Sequence, residues 1–376
     1  MAQKRARIRT QRMKWASEMP RESLTVSDLS EMERACLSPK SPSNDHDLLM
    51  RLWFEPLKLY RLANLLRQKS GKDEVTFIIN RNINFTNQCI GSCKFCSFKH
   101  SKRYRLSTEE ILSRAREAEE RGATEICLQG GLSPGMLLED YCGILEIIHR
   151  SHPRLHLHAY SPMEVLHMSR NSNVPVKDCL KELKRSGLGS MPGTAAEILV
   201  DSVRQKICPE KLNAGQWKEI IVAAHHLKIP STSTILFGHV ESMEDRLEHL
   251  EILKGIQNET GGFTELVLLP FIPENNLLGR TVAGPDLLDR LKMHALARVA
   301  LYPAVTNIQA SWTKLGRDAA KAAIMWGAND LGGTLMDERI ARNSKEVPGI
   351  SAEEIKELIE SCGRKAVQRT TLYERI

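Results

Sequence analysis

From Val75 onward the chain alternates short apolar or β-branched runs with longer stretches of helical spacing. That alternation confines it to folds built of repeated βα units with parallel strands. The runs are Val75–Phe85, Glu125–Gln129, Arg154–Ala159, Leu188–Ser190, Thr232–Phe237, Glu265–Leu269, Val305–Ala310 and a weak one at Ala322–Trp326. Between them, Ser107 and Glu110 form a capping-box pattern before a helix reaching about Arg121, and residues 214–227, 243–257 and 285–301 have helical spacing. Seven or eight such units predict an α/β fold of the (β/α)8 TIM-barrel type, closed or partial, since either would leave much the same pattern. Helical spacing over Asp47–Lys69, broken at Pro56, predicts lead-in helices, and a second capping box at Ser351 and Glu354 predicts a C-terminal helix. The expected division is a basic arm and linker over 1–45, lead-in helices over 46–74, the barrel over 75–345 and a helical tail over 346–376.

The arm carries Lys4, Arg5, Arg7, Arg9, Arg12 and Lys14 with no acid among its first seventeen residues; without them the formal charge of +7 falls close to neutral. Charge gathered in one tail is not the folded basic stripe of a nucleic-acid binder, so no nucleic-acid partner is expected; the arm reads first as a solvated tail, with an electrostatic tether or a transit-like leader as the alternatives. No apolar run approaches the roughly 18 residues of a helical membrane span. Nine cysteines are an odd number, and no leader of the secretory type opens the chain. A disulfide framework is therefore not expected, and the location is read as reducing and cytoplasmic.

Three of the nine cysteines sit together directly after the first strand, in Asn87-Gln88-Cys89-Ile90-Gly91-Ser92-Cys93-Lys94-Phe95-Cys96. Three thiolates on one loop can hold three irons of a 4Fe-4S cluster and leave the fourth open for chemistry. A structural zinc site would want a fourth ligand; His100 is near in sequence, but no second pair of matching spacing follows. Later strand ends carry polar groups. Gln129-Gly130-Gly131 offers two glycines where backbone can approach a ligand closely. His156, His158 and Tyr160 alternate onto one face, followed by Ser161 and Glu164. Glu197 and Arg204 supply a carboxylate suited to hydroxyls and a guanidinium suited to a carboxylate. His239, Asn307, Gln309, Ser311, Asn329 and Asp330 complete the set. Trp312 and Trp326 read more readily as packing than as stacking platforms.

Cys89, Cys93, Phe95 and Cys96 match a C-x3-C-x-aromatic-C motif, and on it the chain resembles the radical S-adenosylmethionine superfamily. The resemblance implies a 4Fe-4S cluster on the three cysteines, with S-adenosylmethionine on the open iron and a 5′-deoxyadenosyl radical released on reduction. It also implies that Phe95, Gln129, Gly130, Gly131, Glu197 and Arg204 contact S-adenosylmethionine. The blocks at 191–199, 237–241, 307–312, 326–334 and 368–373 are similar to one branch of that superfamily. This branch contains the two halves of the deazaflavin (FO) synthase and two radical enzymes of the futalosine route to menaquinone. Met-Pro-Gly-Thr-Ala-Ala-Glu-Ile-Leu at 191–199 and Gln-Arg-Thr-Thr-Leu-Tyr at 368–373 resemble the tyrosine-using half of the synthase. That likeness implies a transferase acting on L-tyrosine and 5-amino-6-(D-ribitylamino)uracil: hydrogen is abstracted from tyrosine, the Cα–Cβ bond breaks, and a 4-hydroxybenzyl radical adds to the uracil ring. A partner synthase subunit and a reductant protein are implied too. His158, Ser161, Glu164, His239, Asn307, Gln309, Ser311, Asn329 and Asp330 become the candidate substrate contacts, and a futalosine-pathway enzyme is the alternative.

Overall fold

The first expected strand splits at Ile79 into β1 (Glu74–Ile78) and β2 (Asn80–Asn84) in the computed structural model, which describes residues 46–71, 73–97, 102–336 and 349–376. The basic arm and linker, His100 and the expected barrel boundary at 345 lie outside the described residues. The split lets one stretch of chain serve two ladders. β2 pairs in parallel with β3 (Glu125–Gln129), which pairs with β4 (His156–Ala159). β1 belongs instead to a six-stranded parallel sheet with β5 (Ser231–Phe237), β6 (Phe263–Pro270), β7 (Ile308–Ala310), β8 (Asp330–Gly333) and β9 (Lys365–Gln368), in the order β5-β6-β7-β8-β1-β9. On the far side, isolated parallel bridges His158–Ser190 and Met191–Ser231 join β4 to β5 through the expected fourth strand at 188–190. Parallel neighbours therefore run round a TIM-barrel-like interior, without one continuous ladder.

The eighth strand is a correction. The apolar run Ala322–Trp326 lies largely in a helix, Arg317–Met325, whose Ala320, Ala323 and Ile324 are buried at helical spacing. The strand is Asp330–Gly333, which holds a single large apolar side chain and so reads as a turn. Gly333 is required there, because a Cβ would stand 1.9 Å from Asn80 Oδ1.

Two helices, α1 (His46–Phe54) and α2 (Pro56–Gly71), precede the strands, and Pro56 begins the second rather than kinking a single one. The capping boxes form as their spacing predicts: Ser107 caps α3 (Thr108–Glu120), and Ser351 caps the C-terminal helix Ala352–Glu360. The chain does not end with that helix. β9 pairs with β1 and continues into Arg369, whose amide donates to the Phe77 carbonyl at 2.8 Å, carrying the C-terminal residues to the N-terminal end of the barrel. No helix among the described residues is long and apolar enough to cross a membrane.

His158, His225, His249 and His294 are buried in this fold. Burial pulls their pKa values down to about 4, 4, 3 and 4. Each stays neutral when folded but charges near its ordinary value of about 6.5 once unfolded. Its stabilising contribution is therefore present above pH 6.5 and lost as pH falls through the folded value. Stability should drop between pH 6.5 and 4, with each histidine adding a slope of about 1.4 kcal/mol per pH unit. Urea titrations of the wild type and His294→Gln across this range check it; a stability difference independent of pH would contradict it.

Candidate active site

The cysteine loop leaves the end of β2 and lines a cavity of about 760 Å³ that runs down the barrel interior. Its backbone is pinned from several sides. Ile90 N donates to Leu132 O at 3.0 Å, Lys94 N to Ile207 O at 2.9 Å, and Leu278 N to Lys94 O at 2.8 Å. A Cβ on Gly91 would lie 3.4 Å from Cys89 Sγ and 3.9 Å from Cys93 Sγ, so two thiols gather around the one bare residue of the loop. Cys89, Cys93 and Cys96 all border the same space and form no disulfide. This donor set fits a 4Fe-4S cluster, since three thiols from one loop, facing a cavity, leave one iron free.

The glycine turn after β3 braces that loop. Gly131 N donates to Thr86 O at 2.8 Å, and a Cβ on Gly131 would sit 2.3 Å from Gln88 O; one on Gly130 would enter the Phe85 ring at 2.4 Å. Gly131→Ala should push the loop outward and weaken cluster retention about tenfold, the low end of what lost outer support costs a metal site. Iron and sulfide content after anaerobic reconstitution measures this, and unchanged retention would refute the bracing role.

Gly130 N donates to Glu164 Oε1 at 3.0 Å, and Ser161 N and Oγ both donate to Glu164 Oε2 at 2.7 Å. Ser161 caps the helix Pro162–Ser172, so a capping box doubles as the cavity wall. Burial raises the Glu164 carboxyl to about 6, against the hydrogen bonds that lower it. Glu197 also faces the cavity, but its partner is Lys211, 2.5 Å away, whose ammonium stands 5.4 Å from the centre of the Phe95 ring. Burial alone would raise Glu197; the Lys211 ammonium and Arg204 guanidinium outweigh it and hold the carboxyl below its ordinary value.

Arg204 does not reach the cavity. Its guanidinium donates to the carbonyls of Ala195, Ala196, Ile198 and Leu212. The first three carbonyls belong to a strained segment in which Ala195 and Glu197 have φ of 64° and 46°. Arg204 thus clamps the backbone that presents Glu197, and the cation paired with Glu197 at the cavity is Lys211.

Of the other expected residues, Phe95, Gln129, Gly130, Gly131, His158, Ser161, Glu164, Gln309 and Ser311 border the cavity, while His239, Asn307, Asn329 and Asp330 do not. His239 is turned inward, with Nε2 on Leu236 O at 2.9 Å and Nδ1 2.9 Å from Glu241. Asn307 and Asn329 precede β7 and β8, so they lie at the opposite end of the strands from the cysteine loop; Asn329 Oδ1 accepts from Arg298 and from Ile308 N. Asp330 begins β8 and is tied to Arg369 by bonds of 2.5 and 3.1 Å. His156 and Tyr160 also lie off the cavity wall: Ser190 Oγ bridges His156 Nε2 and His158 Nδ1 at 2.7 Å each, and Tyr160 Oη donates to Tyr141 O. Trp312 donates to Gly333 O and Trp326 packs on Tyr60, so both serve packing.

The cavity wall also contains residues that the sequence reading did not single out: Asn80, Glu125, Lys211, Glu265 and Arg369. Glu125 accepts from Asn80 and Thr371 at 2.8 Å each, and Glu265 accepts from Tyr373 at 2.7 Å and Gln309 at 2.9 Å. Burial pushes the Glu265 carboxyl up, with Arg369 opposing.

Two family models match the chain: the radical SAM superfamily over residues 83–253 and the CofH/MqnC C-terminal region over 260–376. The 5-amino-6-(D-ribitylamino)uracil–L-tyrosine 4-hydroxyphenyl transferase of Archaeoglobus fulgidus is 51% identical over 85% of this chain and 93% of its own length. Enzyme 1 of that name from Methanosarcina acetivorans is 47% identical over 92% of this chain and 93% of its own. Among solved structures, methylornithine synthase (PylB) superposes with a TM-score of 0.66 at 19% identity, covering 92% of this chain and 95% of that one. The FeFe-hydrogenase maturase HydG from Carboxydothermus hydrogenoformans does so at 0.66 and 17%, covering 98% and 81%; at such identities the likeness is one of fold. The chain belongs to the radical SAM superfamily and, within it, to the family of 5-amino-6-(D-ribitylamino)uracil–L-tyrosine 4-hydroxyphenyl transferases.

Proposed function

We propose that this enzyme joins the 4-hydroxybenzyl group of L-tyrosine to 5-amino-6-(D-ribitylamino)uracil in deazaflavin (FO) coenzyme synthesis, using a 4Fe-4S cluster and S-adenosylmethionine. The observation that carries the reading is one cavity with three cysteine thiols at its mouth and a polar floor, in a chain about half identical to transferases of that name. When bound, the cluster and S-adenosylmethionine supply a 5′-deoxyadenosyl radical. Cys89, Cys93 and Cys96 would hold the cluster. Phe95, Gln129, Gly130, Gly131 and the Glu197–Lys211 pair would hold S-adenosylmethionine, with Arg204 positioning Glu197. His158, Ser161, Glu164, Gln309 and Ser311 remain the substrate contacts. Exclusion of water from the cavity on substrate binding would let a reactive radical meet substrate and little else. The expected partners are a reductant protein and a second synthase subunit that closes the deazaflavin ring.

The test is anaerobic: the reconstituted protein, with S-adenosylmethionine and reductant, is given tyrosine plus ribitylaminouracil, or futalosine-pathway substrates. Release of 5′-deoxyadenosine that depends on tyrosine supports the transferase, and release only with the other substrates overturns it.

A further inference from the structure

The lower end of the cavity holds a polar cluster on which the cofactor residues make no demand. Along β6 the cavity-facing side chains climb from Glu265 through Val267 to Leu269, a rise of roughly 13 Å at about 3.3 Å per residue. These heights separate the cysteine end from a floor made by Asn80, Glu125, Glu265 and Arg369, with Gln309 beside Val267 and His158 beside Cys127 one step up the wall. The C-terminal segment completes this floor, since Arg369 lines it while Thr371 and Tyr373 hold Glu125 and Glu265 from behind.

The chemistry of the floor selects its ligand. Glu125 and Glu265 face the cavity, Asp330 lies behind them, and Arg369 is the cation among them. A ligand carboxylate would face Glu125 and Glu265 here, while Arg369 is already held by Glu265 and Asp330. Planar amide and carboxylate groups with a guanidinium suit a neutral ligand rich in hydroxyls, which both donates and accepts. His158 also points to a ligand. It is 6% exposed, its Nδ1 is engaged by Ser190, and its Nε2 has no hydrogen-bond partner among the described residues although the side chain borders the cavity.

We propose that this floor is the subsite for the hydroxylated ribityl chain of 5-amino-6-(D-ribitylamino)uracil. The uracil ring then points up the wall toward Val267 and Leu269, where the aromatic group of tyrosine lies beneath the cofactor. The assignment rests on the transferase reading and adds to it which substrate lies deepest.

Two measurements test it on the cluster-loaded enzyme. In equilibrium dialysis, 5-amino-6-methylaminouracil, which lacks the hydroxyls, should bind at least about tenfold more weakly than the ribityl compound, the order of one lost buried hydrogen bond. Equal binding would overturn the proposal without recourse to a variant. Gln309→Met, which keeps side-chain length, should raise KM for ribitylaminouracil about tenfold while KM for tyrosine stays within about twofold. A rise in KM for tyrosine alone would overturn it. Failure of the wild type to form any adduct from the two substrates would instead sink the transferase reading.

Discussion

Cys93→Ala should abolish release of 5′-deoxyadenosine from S-adenosylmethionine, a fall of more than about a hundredfold, because even loss of an outer-shell partner costs a metal site 10–100-fold. Cys93 sits at the centre of the motif, its flanking Lys94 is fastened on both sides, and its sulfur shares the Gly91 gap with Cys89. With one thiolate gone, a loop that has no other cysteine to offer keeps two ligands for a cluster that needs three. Iron content and the electron paramagnetic resonance signal of the reduced cluster should fall with activity, while secondary structure is retained. A variant that cleaves S-adenosylmethionine at the wild-type rate would refute the cluster assignment.

The second large effect concerns the Glu197–Lys211 pair. Lys211→Met removes the cation from a carboxylate whose side chain is 9% exposed and should cost about 3 kcal/mol, the lower part of the range for breaking a buried pair. Adding Glu197→Gln should recover most of that loss, because the penalty comes from the stranded charge rather than from the missing attraction. Affinity for S-adenosylmethionine should be weakened in both single variants and in the double variant alike. Arg204→Ala should behave differently. It strands four backbone carbonyls and should cost about 3 kcal/mol that no change at Glu197 restores. Denaturant titration of the set decides: strictly additive losses for Lys211→Met and Glu197→Gln would mean that the pair is not coupled as the geometry indicates.

The parts of this enzyme that were legible in the sequence are those written locally. The cysteine motif spans eight residues, the capping boxes span four, and most strands announce themselves as apolar runs. The parts that were not legible depend on distance. Lys211 meets Glu197 from fourteen residues away, past the short helix Asp201–Ile207, whereas Arg204, seven away, has the more suggestive spacing and serves the backbone instead. Arg369 meets Glu265 from 104 residues away, through a short strand, Lys-Ala-Val-Gln, too small to stand out from a tail. Asn329 and Asp330 fall at the other end of the strands for a related reason. With the eighth strand read at the apolar helix 322–326 they follow a strand, but with the strand at Asp330–Gly333 they precede or begin it, and the barrel puts them at its other end. Burial of polar residues such as Glu125 and Glu265 leaves no mark in an apolar pattern, which is why the floor emerged only from the fold.

The most direct measurement of the central claim follows the atoms of tyrosine. The reconstituted enzyme is incubated anaerobically with S-adenosylmethionine, reductant, ribitylaminouracil and tyrosine labelled with carbon-13 at either Cα or Cβ, and the uracil product is weighed by mass spectrometry. The account predicts a 4-hydroxybenzyl adduct that carries the Cβ label and lacks the Cα label. An unlabelled uracil, or an adduct retaining both carbons, would contradict it.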